Sequence, residues 1–179
     1  KHNKKELLGE KTVMLIKPDG VKRGLIGECI KRIEQRGLKI IAIKMVLPDE
    51  KLATDHYPNT EDWMKLIGEK TLESYRQFGK DPAKEIGTDE PLKIGQVVAK
   101  WNVDFLTSGP VVAMVVQGIH AIAMVRKIVG ATLPSKAEMG TIRGDYSVDS
   151  PTLANADKRT IHNVVHDGPC QVRQERLRL

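Results

Sequence analysis

Several polar residues stand where reactive groups are easily positioned, at the ends of apolar runs and inside turns. Lys17 closes the run TVMLIK and is followed by PDG, a turn sequence. Arg126 lies on the helical stretch HAIAMVRKIVG. Arg143 stands in TIRGD, where an arginine between turn residues can fork onto an anion. His166 closes the apolar run in NVVH and is expected at the end of the last strand. Taken singly, each has an ordinary explanation: a surface lysine at a turn, solvated arginines, a structural histidine. Together, with a threonine, they suit phosphoryl transfer. The cations would neutralise equatorial phosphate oxygens, and the imidazole would attack phosphorus. Free histidine titrates at about 6.5, so a neutral ring nitrogen is available at pH 7.

Other chemistries lack their motifs. There is no GxxxxGK[ST], no GxGxxG after a strand, no GxSxG and no HExxH. Phosphate would therefore be held by side chains rather than by a glycine-rich loop. His2, His56, His120 and His162 show no metal-ligand spacing. The formal charge of +6 favours anionic partners. Nucleic acid is not expected, because basic and acidic residues alternate along most of the chain. The aromatic content of 4% also leaves little to stack on bases. The last ten residues, CQVRQERLRL, depart from this mixture with three arginines. Cys29 and Cys170 form no disulfide framework, and no apolar run is long enough to span a bilayer. A reducing, cytoplasmic location and no membrane partner are expected.

The elements that must position these residues follow from the apolar pattern. A length of 179 residues, 40% of them apolar, fits one domain with a core of aliphatic residues. TVMLIK reads as a strand. In LIGECIKRIEQR the residues Leu25, Ile26, Cys29, Ile30 and Ile33 share a helical face, and Gly37 ends it. LKIIAIKMVL reads as a buried strand closed by Pro48, with a short helix starting near Asp49. Residues 58–107 carry two helices, EDWMKLIGEKTLESYRQF and PLKIGQVVAKWNVDFL, joined by the exposed loop GKDPAKEIGTDEP. PVVAMVVQG is a buried strand, HAIAMVRKIVG a helix ended by Gly130, residues 131–160 a long connection, and IHNVVH a short strand. The order suits an α+β, ferredoxin-like βαββαβ sandwich, with a four-stranded antiparallel sheet, helices on one face and an inserted helical segment.

The stretches IKPDGVKRGLIGECIKRIEQRGLKI, HY, SGPVVAMV, TIRGDYS and NVVH, in this order, resemble the motifs of nucleoside diphosphate kinases. The resemblance covers nearly all of the chain up to His166, apart from the middle segment. It implies the same fold, in hexamers or tetramers, as one domain with an insertion around 58–107. It implies a ping-pong reaction in which ATP or another nucleoside triphosphate phosphorylates a histidine and a nucleoside diphosphate collects the group, with Mg²⁺ bridging the nucleotide phosphates. His166 would be the nucleophile. Lys17 would reach the sugar hydroxyl and the transferring phosphate, and Asn163 the ribose. Tyr57 would stand near His166, while Arg126, Thr132 and Arg143 would bind the outer phosphates. No protein side chains are implied as metal ligands.

Two regions depart from that pattern. The middle segment is longer, and the ring that stacks on the base has Trp63 and Phe105 as candidates, both also suited to core packing. After His166 the family has a small residue and then Ser. Here Asp167, Gly168 and Pro169 follow, and the Glu expected eleven residues on falls at Leu177, with Glu175 nearby. Two expectations result. In the first, Asp167 or Glu175 replaces the lost partner of the imidazole and the enzyme works. In the second, a nucleotide-binding or assembly protein keeps the fold with weak or lost transfer.

Overall fold

The computed structural model describes residues 9–169, so Glu175, Leu177 and the arginine-rich tail lie outside the described residues. One antiparallel sheet is formed by β1 (Lys11–Ile16), β2 (Lys39–Val46), β3 (Val111–Gln117) and β4 (Val165–Pro169), in the spatial order β2-β3-β1-β4. α1 (Pro18–Lys22) and α2 (Ile26–Gln35) join β1 to β2. α3 (Glu50–His56), α4 (Glu61–Gln77), α5 (Pro82–Ile86) and α6 (Pro91–Leu106) lie between β2 and β3. α7 (Ala121–Val129), a 3-10 turn (Pro134–Lys136), α8 (Ile142–Tyr146) and α9 (Pro151–Ala156) lie between β3 and β4. This is the expected α+β order, and the long connection after Gly130 has more regular structure than its turn-rich sequence suggests.

Strand alternation divides the core. Met14 and Ile16 pack with Val112, Met114 and Val116 under α2 and α7, through Cys29, Ile33, Val125 and Val129. Val13 and Leu15 face the other way, with Ala113, Val115, Ala53 of α3 and Leu106 of α6. Helices therefore cover both faces, where the sequence alone suggests one. The cause is the segment after β2, whose helices bring their own apolar face to the second side. Burying each large aliphatic side chain of β1 and β3 contributes about 1.5–3 kcal/mol.

The strand expected to be buried, β2, is an edge strand. A bulge separates Ile40 from Ala42, and beyond it Ile43 and Met45 pair with Met114 and Val112. Ile41, Ile43, Met45 and Leu47 are nonetheless exposed.

The inserted helices α4 and α6 pack against each other. Two glycines let their backbones touch. A Cβ on Gly68 would lie 1.8 Å from the Pro91 carbonyl oxygen, and one on Gly95 would lie 1.9 Å from that of Met64. The connection GKDPAKEIGTDEP holds the short helix α5 rather than loop alone.

The last strand begins later than the pattern IHNVVH suggests. Val164 has φ +67°, a conformation that a β-branched residue rarely adopts. Its neighbour Val165 donates its N–H to the Asn163 carbonyl at 2.7 Å, closing a tight three-residue turn. β4 starts only there, so His166 stands near its beginning. Asp167, Gly168 and Pro169 are paired with Met14, Val13 and Thr12, so the strand continues past His166. Proline is tolerated because β4 is the other edge of the sheet.

Candidate active site

Antiparallel pairing of β1 with β4 sets the end of one strand beside the start of the other. Lys17 leaves the sheet there, its N–H donating to the Val164 carbonyl at 2.8 Å. Its ammonium is buried and donates to Asn163 Oδ1 at 2.7 Å. It also sits 5.7 Å from the centre of the Phe105 ring. Burial, and then the charge of Arg143, lower its pKa to about 8, against smaller opposing pulls from Asp19 and Asp167. The other end of the Asn163 amide donates to the Thr132 carbonyl at 2.8 Å. Asn163 thus ties the lysine to the loop after α7.

Arg143 reaches the same place from α8, and its fork is largely occupied. Nε donates to the Asn163 carbonyl at 3.4 Å, Nη1 to Gly130 at 2.9 Å and Nη2 to Val165 at 2.8 Å. With five donors on a guanidinium, part of the fork remains for an anion. Burial lowers its pKa, with Asp167 opposing the shift. Arg126 is exposed at the end of α7, with Nε 3.4 Å from Asp167 Oδ2.

The pleat separates the two residues after the tight turn. His166 pairs with Leu15 and so faces α3 and α6, whereas Asp167 pairs with Met14 and faces α7. The His166 ring lies 5.2 Å from that of His56, which is 5.1 Å from Tyr57, whose ring stacks on Trp63 at 5.9 Å. Asp167 forms ion pairs with Arg126 and Arg143, toward α7.

A cleft of about 420 Å³ is lined by Lys17, Arg126, Gly130, Ala131, Thr132, Arg143, Asn163, His166 and Asp167. Six of the seven residues singled out from sequence meet there. Tyr57 does not line it and approaches through His56. Sequence reasoning missed His56, for which adjacency to Tyr57 in HY was the only signal. It also missed Asp19, whose Oδ2 accepts from the Val164 N–H at 2.9 Å and so supports the strained turn. Its other oxygen is buried with no hydrogen-bond partner. Trp63 and Phe105 are both engaged, Trp63 on Tyr57 and Phe105 on His162 at 4.7 Å. Burial lowers the pKa of His162. A larger cavity of about 990 Å³ adjoins the cleft through Thr132 and is lined by Val98, Trp101, Leu133, Ile161 and faces of α4 and α9. No histidine is among the described residues that line it, so the smaller cleft is the better place for the chemistry.

This arrangement, a histidine beside three cations at a sheet end, can transfer a phosphoryl group. The family model described as nucleoside diphosphate kinase matches residues 10–68 and 93–175, leaving out the far half of the helical insertion. A nucleoside diphosphate kinase of Pyrobaculum aerophilum is 46% identical over 93% of this chain and 92% of its own length. One from Borreliella burgdorferi is 36% identical over 89% of this chain and 79% of its own. The crystal structure of the Pyrobaculum aerophilum NDP kinase superposes with a TM-score of 0.90 at 43% identity, over 95% of this chain and 94% of that one. A transition-state mimic of the Borrelia burgdorferi enzyme with bound vanadate and ADP superposes at 0.70 and 35% identity, over 95% and 84%. The chain belongs to the nucleoside diphosphate kinase family, enzymes that move a phosphoryl group between nucleotides.

Proposed function

We propose that this chain moves the γ-phosphate of ATP or another nucleoside triphosphate to His166, and from there to a nucleoside diphosphate, at one site. In the first half-reaction an imidazole nitrogen forms a bond to phosphorus as the bond to the β–γ bridging oxygen breaks, and the diphosphate leaves. In the second, a β-phosphate oxygen of the incoming diphosphate attacks the same phosphorus and the P–N bond breaks. The observation that carries this reading is the cleft itself, where His166 shares a wall with Lys17, Arg126 and Arg143. Desolvation there strengthens each charge on the transferring group.

Lys17 and the free part of the Arg143 fork bind the transferring phosphate, and Arg126 and Thr132 bind the outer ones. Asn163 contacts the ribose while holding Lys17 in place. Tyr57 acts on His166 through the His56 ring. The nucleoside extends past Thr132 into the larger cavity, where Trp101 is the half-buried ring available to the base. Mg²⁺ arrives on the phosphates. Among the described residues no group of three His, Cys, Asp or Glu side chains is arranged to hold it, so phosphate oxygens would be its ligands.

The chain functions as one domain with its helical insertion and assembles as a homo-oligomer, a hexamer or a tetramer. Among the described residues β2 is an edge strand, and its exposed apolar residues support assembly. Among the described residues no helix is long and apolar enough to cross a membrane. A cytoplasmic location is the reading that accompanies this metabolism. Binding without turnover is not favoured, because nucleophile and cations stand together. The experiment is nucleotide exchange: ATP and GDP should give ADP and GTP. His166→Ala should lower the rate by at least about three orders of magnitude while ADP still binds. An unchanged rate in that variant would remove His166 from the reaction.

A further inference from the structure

Asp167 brings a carboxylate into a cleft that also holds Lys17, Arg126 and Arg143. Its Oδ2 lies 3.4 Å from Arg126 Nε and its Oδ1 3.9 Å from Arg143 Nη2. Both distances exceed those of strong charge-assisted hydrogen bonds, about 2.7–2.9 Å. Arg126 is 63% exposed, so water screens its share of the attraction. Arg143, by contrast, is fixed by three backbone carbonyls whether or not an anion is present. The backbone of Asp167 is equally fixed, by pairing with Met14 in β1. The carboxylate can move relative to Arg143 by rotating about its own side-chain bonds.

Building on the nucleotide-site reading above, we propose that Asp167 is a resident anion of the phosphate subsite. In the empty enzyme its carboxylate occupies the guanidinium groups of Arg126 and Arg143, the incoming nucleotide displaces it, and its return helps the diphosphate leave. Lys17 and Arg143 crowd like charges into a buried space, and Asp167 acts favourably on both. The site therefore keeps a counter-charge to its cations between its two half-reactions, across ion pairs of 3.4 and 3.9 Å. Loose ion pairs suit this exchange, since a tight pair would exclude the nucleotide. Asp167 is in this sense a tuning residue for affinity and release rather than a catalytic one.

The test compares binding of ADP and of adenosine to the full chain by calorimetry, in the wild type, Asp167→Asn and Asp167→Glu. Asp167→Asn should bind ADP roughly three- to tenfold more tightly, with the gain in a slower off-rate. Adenosine, which has no phosphate, should bind equally to all three, and Asp167→Glu should stay close to wild type. Asp167→Ser provides the same reading if the asparagine variant folds poorly. Unchanged or weaker ADP binding in the neutral variants, with wild type binding ADP normally, would overturn the proposal and leave the nucleotide site standing. A wild type that binds no ADP would overturn both.

Discussion

Lys17 bears a large electrostatic cost. Its ammonium is buried, and its pKa is lowered from 10.5 to about 8. Below about pH 8 the lysine is charged in both folded and unfolded chains, and the folded state carries the whole desolvation penalty. Between about 8 and 10.5 the unfolded chain holds the proton and the folded chain does not, so stability rises with pH across that window. The full effect is on the order of 3 kcal/mol. Denaturant midpoints of wild type minus those of Lys17→Met should therefore rise between pH 8 and 10.5, and a pH-independent difference would contradict this account. Function moves the other way. The free enzyme loses a phosphate-binding charge as pH passes about 8, so KM for the nucleotide should increase there. At this scale much of the site was legible. Lys17, Asn163, Arg143 and His166 stand in short motifs whose residue types suit phosphate. His56 and Asp19 were not legible as site residues, because their roles come from contacts across the sheet. His56 meets His166 from a helix more than a hundred residues earlier, and Asp19 meets Val164 only because β1 and β4 are neighbours.

The helices were readable because their ends carry local signals. Asp49 caps α3 by accepting from the Leu52 N–H at 2.7 Å, and Gly37 and Gly130 end α2 and α7 with positive φ. The start of β4 was not readable. A β-branched pair such as Val164–Val165 predicts extended backbone, and only the tertiary hold of Asp19 and Lys17 on Val164 forces the turn. Strain of this kind costs about 1–3 kcal/mol and gathers at functional sites. The inserted helices were legible as helices, but their crossing was not, since neither Gly68 nor Gly95 announces that another backbone will lie against it. Alanine at either position would gain helix propensity of about 1 kcal/mol but must push two helices apart. Each of Gly68→Ala and Gly95→Ala should cost a net ~1–3 kcal/mol, read as a lower thermal midpoint. Unchanged midpoints in both would mean that the helices pack less closely than described.

At the scale of the whole molecule, the sheet order places one edge at the chemistry and the other at the surface. β4 lines the cleft, while β2 leaves Ile43 and Met45 at 51% and 57% exposure. An edge with these residues is a poor solvent-facing strand and a good contact between copies. Met45→Glu should shift the mass measured by light scattering toward a single chain, with the fold retained by circular dichroism. An unchanged assembly would place the contact elsewhere. The order of elements was legible because apolar runs alternate regularly with capped helices. The coverage of the second face was not, because it depends on where an insertion folds back.

The central claim is that His166 carries the phosphoryl group. The direct measurement is incubation with γ-labelled ATP, followed by GDP. Wild type should form an acid-labile, base-stable phosphoenzyme that disappears as labelled GTP forms, and peptide mapping should place the label on His166. His166→Ala should take up no label while still binding ADP. A wild type that exchanges nucleotides without ever labelling, or an alanine variant that labels as well as wild type, would contradict the account.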